Sequence, residues 1–215
     1  MADPTYTPPE VWTHDAENGG RFASINRPTA GARQTSPLPV GDHDFQLYSL
    51  ATPNGVKATI MFEELLEAGY SEAEYDAWTV NISDGDQFGS GFVDLNPNSK
   101  IPTLLDRSGT EPVRVFESGA ILWYLAEKYD RFLSHDSKER SETLQWLMFQ
   151  MGGIGPMMGQ AMFFQRIAKP NGDEVPYAID RYVNESRRLL EVLDTRLAGR
   201  DWLVGDAMSI ADIAT

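Results

Sequence analysis

Residues 101–119 read IPTLLDRSGTEPVRVFESG, and this stretch decides the first half of the fold. Ile101–Leu105 and Val113–Phe116 are short apolar runs typical of strands, and Asp106–Thr110 between them is rich in turn-forming residues. Ser118 follows the second run and is of a residue type that commonly caps a helix, here one with apolar side chains at helical spacing. The stretch therefore predicts an antiparallel hairpin followed by a helix.

The segment before this hairpin predicts a strand, a helix and a second strand. Phe45–Leu50 is a half-buried strand pattern, and Thr52–Pro53 after it combines a capping hydroxyl with a proline at the first helical position. The helix is expected to stop at Gly69, and Tyr75–Val80 predicts the second strand. Ser83–Asn98 shows no periodicity, so we expect a long loop there.

The order of these elements predicts two domains of different class. A strand, helix and strand followed by a hairpin and a helix pack as a mixed sheet with helices on its faces, which predicts an α/β domain over residues 45–130. The remainder predicts an all-helical domain over residues 137–215, with an amphipathic helix at 141–151 that the glycines and proline of 152–156 bend or break. The cleanest helix pattern covers 176–199. Its apolar face comprises Ile179, Tyr182, Val183, Leu190, Leu193 and Leu197.

The first part of the chain has a different composition. Residues 1–44 are rich in Pro, Gly, Thr and Asn and follow neither the strand period nor the helix period, which predicts an extended arm. Three aromatic residues in this arm, Tyr6, Trp12 and Phe22, indicate that the arm packs onto something and is not free in solvent.

The last residues carry a helix-start signature. Ser209–Asp212 has the form of a capping box, yet the sequence stops at Thr215, within about one turn. Such a short helix is not expected to bury its apolar face or to offset the cost of nucleation. We therefore expect the helical C-terminal domain to be incomplete in this sequence.

Composition excludes several classes of function. The 215 residues include 18 Lys plus Arg and 32 Asp plus Glu, a net charge of −14 that repels nucleic acid phosphates and anionic lipids. No apolar run approaches the roughly 18 residues of a membrane span. The N-terminus lacks the basic and apolar pattern of a signal peptide. We expect a cytoplasmic protein without nucleic acid or membrane partners.

Cysteine and histidine usage narrows the chemistry further. The sequence has no cysteine, so any thiol chemistry must come with a ligand. His14, His43 and His135 are far apart, which argues against a histidine metal site or a catalytic triad. Asp84–Asp86 begins like a calcium loop, but Leu95 stands where that loop requires glutamate. We expect no metal.

Three local features each allow a structural and a functional interpretation. Pro102 is either an ordinary strand-edge proline or the proline of a cis bond. Ser118 is either a simple helix cap or, with Glu117, part of a site where a helix N-terminus attracts a ligand carboxylate. Thr52–Gly55 is either a helix cap or a hydroxyl and an amide directed at a ligand.

Taken together these features resemble the thioredoxin-fold domain of glutathione transferases. Its hallmarks are a residue at the first strand–helix turn, an Ile-Pro opening the third strand and a Glu-Ser at the start of the third helix. Here they correspond to Thr52–Asn54, Ile101–Pro102 and Glu117–Ser118, and the helical domain with its box at Ser209–Asp212 resembles the second domain of the same superfamily. Finer features resemble the bacterial nu-class transferases and their yeast prion-regulator relatives, namely Ile25–Pro28, Thr52–Gly55, Asp84–Phe88 and Asn96–Pro102.

The resemblance implies roles for individual residues. It implies a cis bond before Pro102, with the Ile101 backbone pairing with the cysteinyl part of glutathione. It also implies that Glu117 and Ser118 hold the γ-glutamyl end, which agrees with the chemistry of a carboxylate beside a helix N-terminus.

The resemblance further implies a catalytic pair. Thr52 and Asn54 would face the sulfur, where a hydrogen bond to the thiolate favours its ionised form. The glutathione-binding residues that it implies are Asn26, Thr52, Pro53, Asn54, Gln87, Lys100, Ile101, Pro102, Glu117, Ser118, Gln150 and Arg181.

The function that follows is glutathione-dependent. The resemblance implies a disulfide-bond reductase and glutathione transferase, also with peroxidase activity, that binds a pair of glutathiones per subunit as co-substrates. A pair supplies both sulfurs of a product disulfide, so the protein could cycle without its own cysteine. Small disulfides, peroxides or electrophiles would be second substrates, and a homodimer is expected. The alternative is a non-catalytic glutathione-binding or regulatory protein of the same fold.

Overall fold

The structure is a computed structural model that describes residues 10–13, 31–172 and 174–215. The described residues divide into two compact units, one ending at Leu125 and the other beginning at Ala126. The division falls inside a helix. The predicted domain limits, 45–130 and 137–215, stay predictions.

The strands and helices follow the predicted order. The α/β unit contains β1 (Phe45–Ser49), α1 (Gly55–Glu67), β2 (Tyr75–Thr79), α2 (Ser90–Leu95), β3 (Thr103–Asp106) and β4 (Val113–Phe116). Then α3 (Ser118–Tyr129) crosses the division, and the helical unit continues with α4 (Ser137–Phe149), α5 (Gly155–Met162), α6 (Pro176–Leu197) and α7 (Ile210–Ala214).

One mixed sheet organises the α/β unit. Its strand order is β2-β1-β3-β4, with β1 parallel to β2 and antiparallel to β3, and β3 antiparallel to β4. The predicted βαβ unit and hairpin are thereby confirmed. Residues 45–48 of the inner strand β1 are all buried, so the prediction of a half-buried strand is wrong. β1 is paired with a strand on each edge, and such inner strands are commonly covered on both faces.

The helix α1 buries one face and exposes the other. Its fully buried side chains include Met61, Phe62 and Leu65, at the spacing that helical geometry gives to one face. Val56 and Ile60, which belong to the same apolar pattern in the sequence, are about 40% exposed. The buried face of α1 therefore excludes Val56 and Ile60, which the apolar pattern alone would place in the core.

The prediction of a long loop between β2 and β3 is wrong in part. The segment contains a 3₁₀ turn at Asp86–Phe88 and the helix α2. Two hydrogen bonds from the preceding arm hold the start of α2: Ser90 N donates to Gln34 O at 2.9 Å and Gly91 N donates to Ser36 O at 3.0 Å. These long-range contacts compensate for the weak helix propensity of a glycine-rich start.

The described residues of the arm, 10–13 and 31–44, form no helix and no strand of the sheet. An isolated bridge joins Gln34 to Gly89, and Tyr48 Oη donates to Pro39 O at 2.7 Å. Trp12 is 66% exposed, so it does not pack against the described residues of this chain. Tyr6 and Phe22 lie outside the described residues.

The glycine-rich segment of the helical unit distorts the helix without breaking it. A π-helical turn at Gln150–Ile154 connects α4 directly to α5, so of the two predicted outcomes, a bend or a break, the break does not occur. A π-helical turn adds a residue to one turn and keeps the backbone hydrogen-bonded. Gly153 at this turn faces Leu189 of α6, and a Cβ placed there would make an ordinary van der Waals contact at 3.4 Å.

The helix α6 confirms the cleanest helix pattern, with one shift in its buried face. Leu193 is buried as predicted, but Leu190 is 46% exposed and the neighbouring Leu189 is buried instead. The helix ends at Leu197, and Gly199 adopts a φ of +72°, as expected of a glycine just past a helix end.

The capping box at the last helix is confirmed. Ser209 Oγ accepts a hydrogen bond from Ala211 N at 3.3 Å, and Ser209 N donates to Asp212 Oδ2 at 2.8 Å. Ile210 and Ala211 are fully buried, with Leu203 and Val204 nearby in the same core. The expectation that so short a helix could not bury its apolar face is therefore wrong.

A search of the described helices finds none that is long and apolar enough to cross a membrane.

Candidate functional site

A small polar cleft gathers the features that the sequence singled out in the α/β unit. Its volume is about 190 Å³, and its walls come from the start of α1, the turn before β3 and the start of α3. The residues that line it are Asn54, Asn96, Asn98, Lys100, Ile101, Pro102, Glu117 and Ser118.

The bond between Ile101 and Pro102 is cis, as the resemblance implies. Pro102 is buried immediately before β3, whose first residue, Thr103, lies opposite Tyr48 on the central strand. Ile101 thus lies in the wall of the cleft, two residues before an inner strand of the sheet.

The start of α3 places a carboxylate beside a helix N-terminus. Ile121 N donates to Glu117 O at 3.0 Å, so Glu117 occupies the cap position and α3 begins at Ser118. The interpretation of Ser118 as the cap is therefore wrong by one residue. Glu117 has a φ of +72°, a conformation that non-glycine residues rarely adopt and that often marks functional positions.

The chemistry of this corner suits a zwitterionic ligand. The positive end of the α3 dipole favours a carboxylate, and the side chain of Glu117 favours an ammonium group. Asn98 Nδ2 donates to Glu117 Oε1 at 3.2 Å and so fixes one oxygen of that carboxylate. Both ends of an α-amino acid could bind here.

The turn before α1 carries the two residues expected to be catalytic. Thr52 Oγ1 accepts from Gly55 N at 3.2 Å, and Thr52 O accepts from Val56 N at 3.0 Å, which is the geometry of a helix cap. The hydroxyl hydrogen of Thr52 has no acceptor among the described residues, so capping leaves it available to a ligand. Asn54 is exposed and lines the cleft, with Pro53 between the two.

Gln87 does not line this cleft. Its side chain is 2% exposed, its Nε2 donates to Ile82 O at 3.2 Å, and its Oε1 has no partner among the described residues. A buried unsatisfied amide oxygen is unusual. Its predicted contact with glutathione stays a prediction.

The other predicted binding residues lie elsewhere in the chain. Gln150 begins the π-helical turn and is 4% exposed, and its Oε1 has no partner among the residues that the structure describes. Arg181, with Tyr177, Tyr182 and Arg188, lines a separate cavity of about 910 Å³ in the helical unit. Asn26 lies outside the described residues.

Asn96 and Asn98 are site residues that the residue-by-residue prediction missed. Asn96 is 1% exposed, and its Nδ2 donates to Lys100 O at 2.6 Å and to Thr103 Oγ1 at 2.9 Å. Its Oδ1 accepts from Asn98 N at 2.9 Å. The Asn-Pro-Asn sequence is a turn signal that could have pointed to this role.

The described residues contain no group of three or more His, Cys, Asp or Glu side chains that could hold a metal ion.

Comparisons with known proteins assign the family. The family model of the glutathione S-transferase N-terminal domain matches residues 45–127, and that of the C-terminal domain matches residues 157–215. The disulfide-bond oxidoreductase YghU of Escherichia coli (strain K12) is 53% identical over 215 residues, which are 100% of this chain and 73% of that protein.

Solved structures agree with this assignment. A glutathione transferase YghU from Streptococcus pneumoniae, complexed with glutathione, is 53% identical to this chain and superposes with a TM-score of 0.90. The match covers 97% of this chain and 79% of the Streptococcus pneumoniae chain. A glutathione transferase from Pseudomonas putida, with one glutathione disulfide bound per subunit, is 51% identical with a TM-score of 0.73. The match covers 80% of this chain and 72% of the Pseudomonas putida chain.

The chain belongs to the glutathione S-transferase family. The predicted fold, a thioredoxin-like domain followed by a helical transferase C-terminal domain, is confirmed.

Proposed function

We propose that this protein is a glutathione-dependent disulfide-bond reductase. The observation that carries the proposal is the cleft, which combines Asn54, the cis Ile101–Pro102 bond and the Glu117–Ser118 corner within about 190 Å³. The name of the 53% identical relative from Escherichia coli, a disulfide-bond oxidoreductase, supports the same activity.

Glutathione would bind through its two ends and its main chain. Glu117 accepts from the γ-glutamyl ammonium, and Ser118 with the N-terminus of α3 holds the neighbouring carboxylate. The main chain of Ile101 pairs with the cysteinyl unit, and Lys100 at the cleft attracts the glycyl carboxylate. This orientation directs the sulfur toward Thr52 and Asn54.

Thr52 and Asn54 would activate the sulfur. The hydroxyl of Thr52 and the amide of Asn54 donate hydrogen bonds to the thiolate, which lowers the thiol pKa and raises the reactive fraction near neutral pH. Because the chain has no cysteine, the nucleophile belongs to glutathione.

The reaction needs two glutathiones. The first thiolate attacks one sulfur of the substrate disulfide, the S–S bond breaks, and one substrate thiolate leaves and takes up a proton. The second thiolate attacks the glutathione sulfur of the mixed disulfide, releasing the other substrate thiol and glutathione disulfide. The glutathione disulfide in the Pseudomonas putida relative supports a site large enough for such a pair. The residues proposed to hold the pair, beyond those of the cleft, are Asn26, Pro53, Gln87, Gln150 and Arg181.

The setting and the range of substrates belong to the same proposal. A reaction that consumes reduced glutathione fits the cytoplasm, where thiols are kept reduced. Peroxides and electrophiles are further substrates that an activated glutathione thiolate would attack. We propose a homodimer, the commonest symmetric assembly of soluble proteins.

Turnover with a matched pair of threonine variants tests the proposal. The measurement is reduction of a small dialkyl disulfide, with and without glutathione, together with glutathione affinity by calorimetry. Thr52→Ala is expected to lose most turnover and to keep most affinity, because Glu117 and Ser118 remain. Thr59→Ala removes a hydroxyl of α1 that donates to Val56 O at 2.9 Å, and it is expected to behave as the parent.

Two outcomes would contradict the proposal in different ways. Equal turnover by Thr52→Ala and the parent would leave Thr52 as a helix cap only. Glutathione binding by the parent without any turnover would favour a binding or regulatory protein of the same fold.

A further inference from the structure

Lys57 is a buried cation that the proposed mechanism does not use. It is the third residue of α1, one turn after the Thr52–Asn54 turn, and is 6% exposed. It is the one buried lysine or arginine among the described residues. A buried ammonium is costly unless it is well paired, so its position calls for a reason.

The one hydrogen bond of Lys57 in the described part of the chain is to Asn54. Lys57 Nζ donates to Asn54 Oδ1 at 3.2 Å. No described carboxylate forms an ion pair with Lys57, and burial lowers the pKa of its ammonium to about 8. An ion pair within the protein therefore does not account for this lysine.

The bond to Lys57 determines how the Asn54 amide is oriented. An ammonium group only donates, so the oxygen of the amide must face Lys57 and its NH₂ group must face away. Asn54 Nδ2 has no acceptor among the described residues, and Asn54 lines the cleft. The two N–H groups of Asn54 are thus left to a ligand.

We propose that Lys57 is a positioning residue for glutathione activation, which holds the Asn54 amide with its NH₂ group toward the sulfur and strengthens that donor with its charge. The inference rests on the proposed function. A hydrogen bond to a cation polarises the amide and makes its N–H groups better donors. Stronger donors favour the thiolate over the thiol. Lys57 itself does not line the cleft; the charged residues that do are Lys100 and Glu117, and replacement of Lys57 leaves both in the chain.

A double-mutant cycle tests whether Lys57 acts through Asn54. The proteins are the parent, Lys57→Met, Asn54→Ala and the double variant, all as full chains. Methionine keeps the length of the side chain and removes the donor and the charge. The readouts are the pKa of the bound glutathione thiol, from the ultraviolet absorbance of the thiolate, and kcat and KM for disulfide reduction.

We expect Lys57→Met to raise the thiol pKa by about one unit and to lower kcat about tenfold. In the Asn54→Ala background the same replacement is expected to change kcat less than about twofold, because the group through which Lys57 acts is gone. Lys138→Met, which removes an exposed lysine from α4, is the matched control and is expected to match the parent.

A merely structural lysine gives a different pattern. If Lys57→Met leaves the bound thiol pKa and kcat at the parent values, the inference is overturned. A full tenfold loss in the Asn54→Ala background also overturns it, because Lys57 would then act independently of Asn54. Thermal denaturation identifies variants that do not fold, and Lys57→Leu, which also removes donor and charge, replaces Lys57→Met in that case.

The same measurements separate this inference from the function on which it rests. A parent that lowers the glutathione thiol pKa without reducing disulfides contradicts the reductase proposal, and the pKa of the Lys57→Met complex then decides the inference alone. A parent that turns over while Lys57→Met equals it contradicts only the inference. Absence of glutathione binding to the parent overturns both.

Discussion

Asn98 and Glu117 join two walls of the cleft, with Asn98 Nδ2 donating to Glu117 Oε1 at 3.2 Å. Asn98 belongs to the turn before the cis proline, and Glu117 is the cap residue of α3. The bond couples two segments that are 19 residues apart in the chain. It engages one oxygen of Glu117, and the other oxygen is the one that we propose accepts from the ligand ammonium.

Removal of this bond should weaken glutathione binding more than the chemical step. In Asn98→Ala we expect KM for glutathione to rise about fivefold, equivalent to about 1 kcal/mol, because Glu117 loses the contact that orients it. We expect kcat to change less than about twofold. Steady-state kinetics with varied glutathione measures both. Gln145→Ala removes an exposed amide from α4 and is the control, and equal KM values for the two variants would contradict the role of Asn98.

Asn96 is expected to matter for folding as well as binding. Its side chain satisfies Lys100 O, Thr103 Oγ1 and Asn98 N, all in the turn that leads to β3. Asn96→Ala removes these three hydrogen bonds, although Lys100 O still accepts from Thr103 Oγ1 at 3.4 Å, so we expect the free energy of unfolding in urea to fall by about 2 kcal/mol. The comparison is Asn81→Ala, which alters an exposed turn and should cost less. A stability loss no greater than that of Asn81→Ala would show that water replaces the Asn96 contacts.

The strand and helix pattern of this chain is largely readable from its sequence because the signals are local. The apolar alternation of β1, the turn between β3 and β4 and the capping box at Ser209 each need only neighbouring residues. The cis bond before Pro102 was predicted only from the resemblance to glutathione transferases, because most peptide bonds before proline are trans.

The features that the sequence did not predict depend on contacts between distant segments. The helix α2 starts with glycines and is held by the arm through Gln34 O and Ser36 O. In α6 either Leu189 or Leu190 could lead the apolar face, and Leu189 is the one that joins the core with Ile154 and Leu193. The role of Asn96 is equally non-local, because its partners become neighbours only when the turn folds onto β3.

A hydrogen-bonded pair at the edge of the sheet predicts a pH dependence of stability. Asp76 on β2 accepts from His43 N at 2.9 Å and from Gln46 Nε2 at 2.7 Å, and His43 Nδ1 lies 3.0 Å from Asp76 Oδ1. The hydrogen bond to Asp76 raises the pKa of His43 above its usual 6.5. Hydrogen bonds from His43 and Gln46 lower the pKa of Asp76 from 3.8 to about 2.

The two shifts define the window in which the pair stabilises the fold. The contribution of His43 is complete below its unfolded pKa of 6.5 and is lost as the pH rises through its higher folded value. That of Asp76 is complete above 3.8 and is lost as the pH falls toward about 2. We therefore expect the stability deficit of His43→Ala relative to the parent to be larger at about pH 5 than at about pH 9.

Urea unfolding at the two pH values measures this difference. His135→Ala is the control, because His135 pairs with Asp130 at 3.1 Å while both side chains are largely exposed, and exposed pairs contribute little. A His43→Ala deficit that is equal at both pH values would mean that the charge of His43 does not contribute and that only its neutral contacts do.

Gly55 is the position where the strand–helix junction tolerates no side chain. A Cβ at Gly55 would lie 2.0 Å from Leu50 O and 2.6 Å from Ser49 Oγ, and the nearer atom is backbone that cannot move aside cheaply. We expect Gly55→Ala to lower the free energy of unfolding by about 3 kcal/mol or more, and to lower turnover in whatever fraction folds, because Thr52 and Asn54 belong to the displaced turn. Gly159→Ala in α5 is the control: no described atom lies within 4 Å of its Cβ position, and alanine favours a helix by about 1 kcal/mol. Urea unfolding and disulfide reduction by both variants measure the two effects. A Gly55→Ala protein as stable and as active as the parent would mean that the strand–helix junction accommodates the methyl group without disturbing the site.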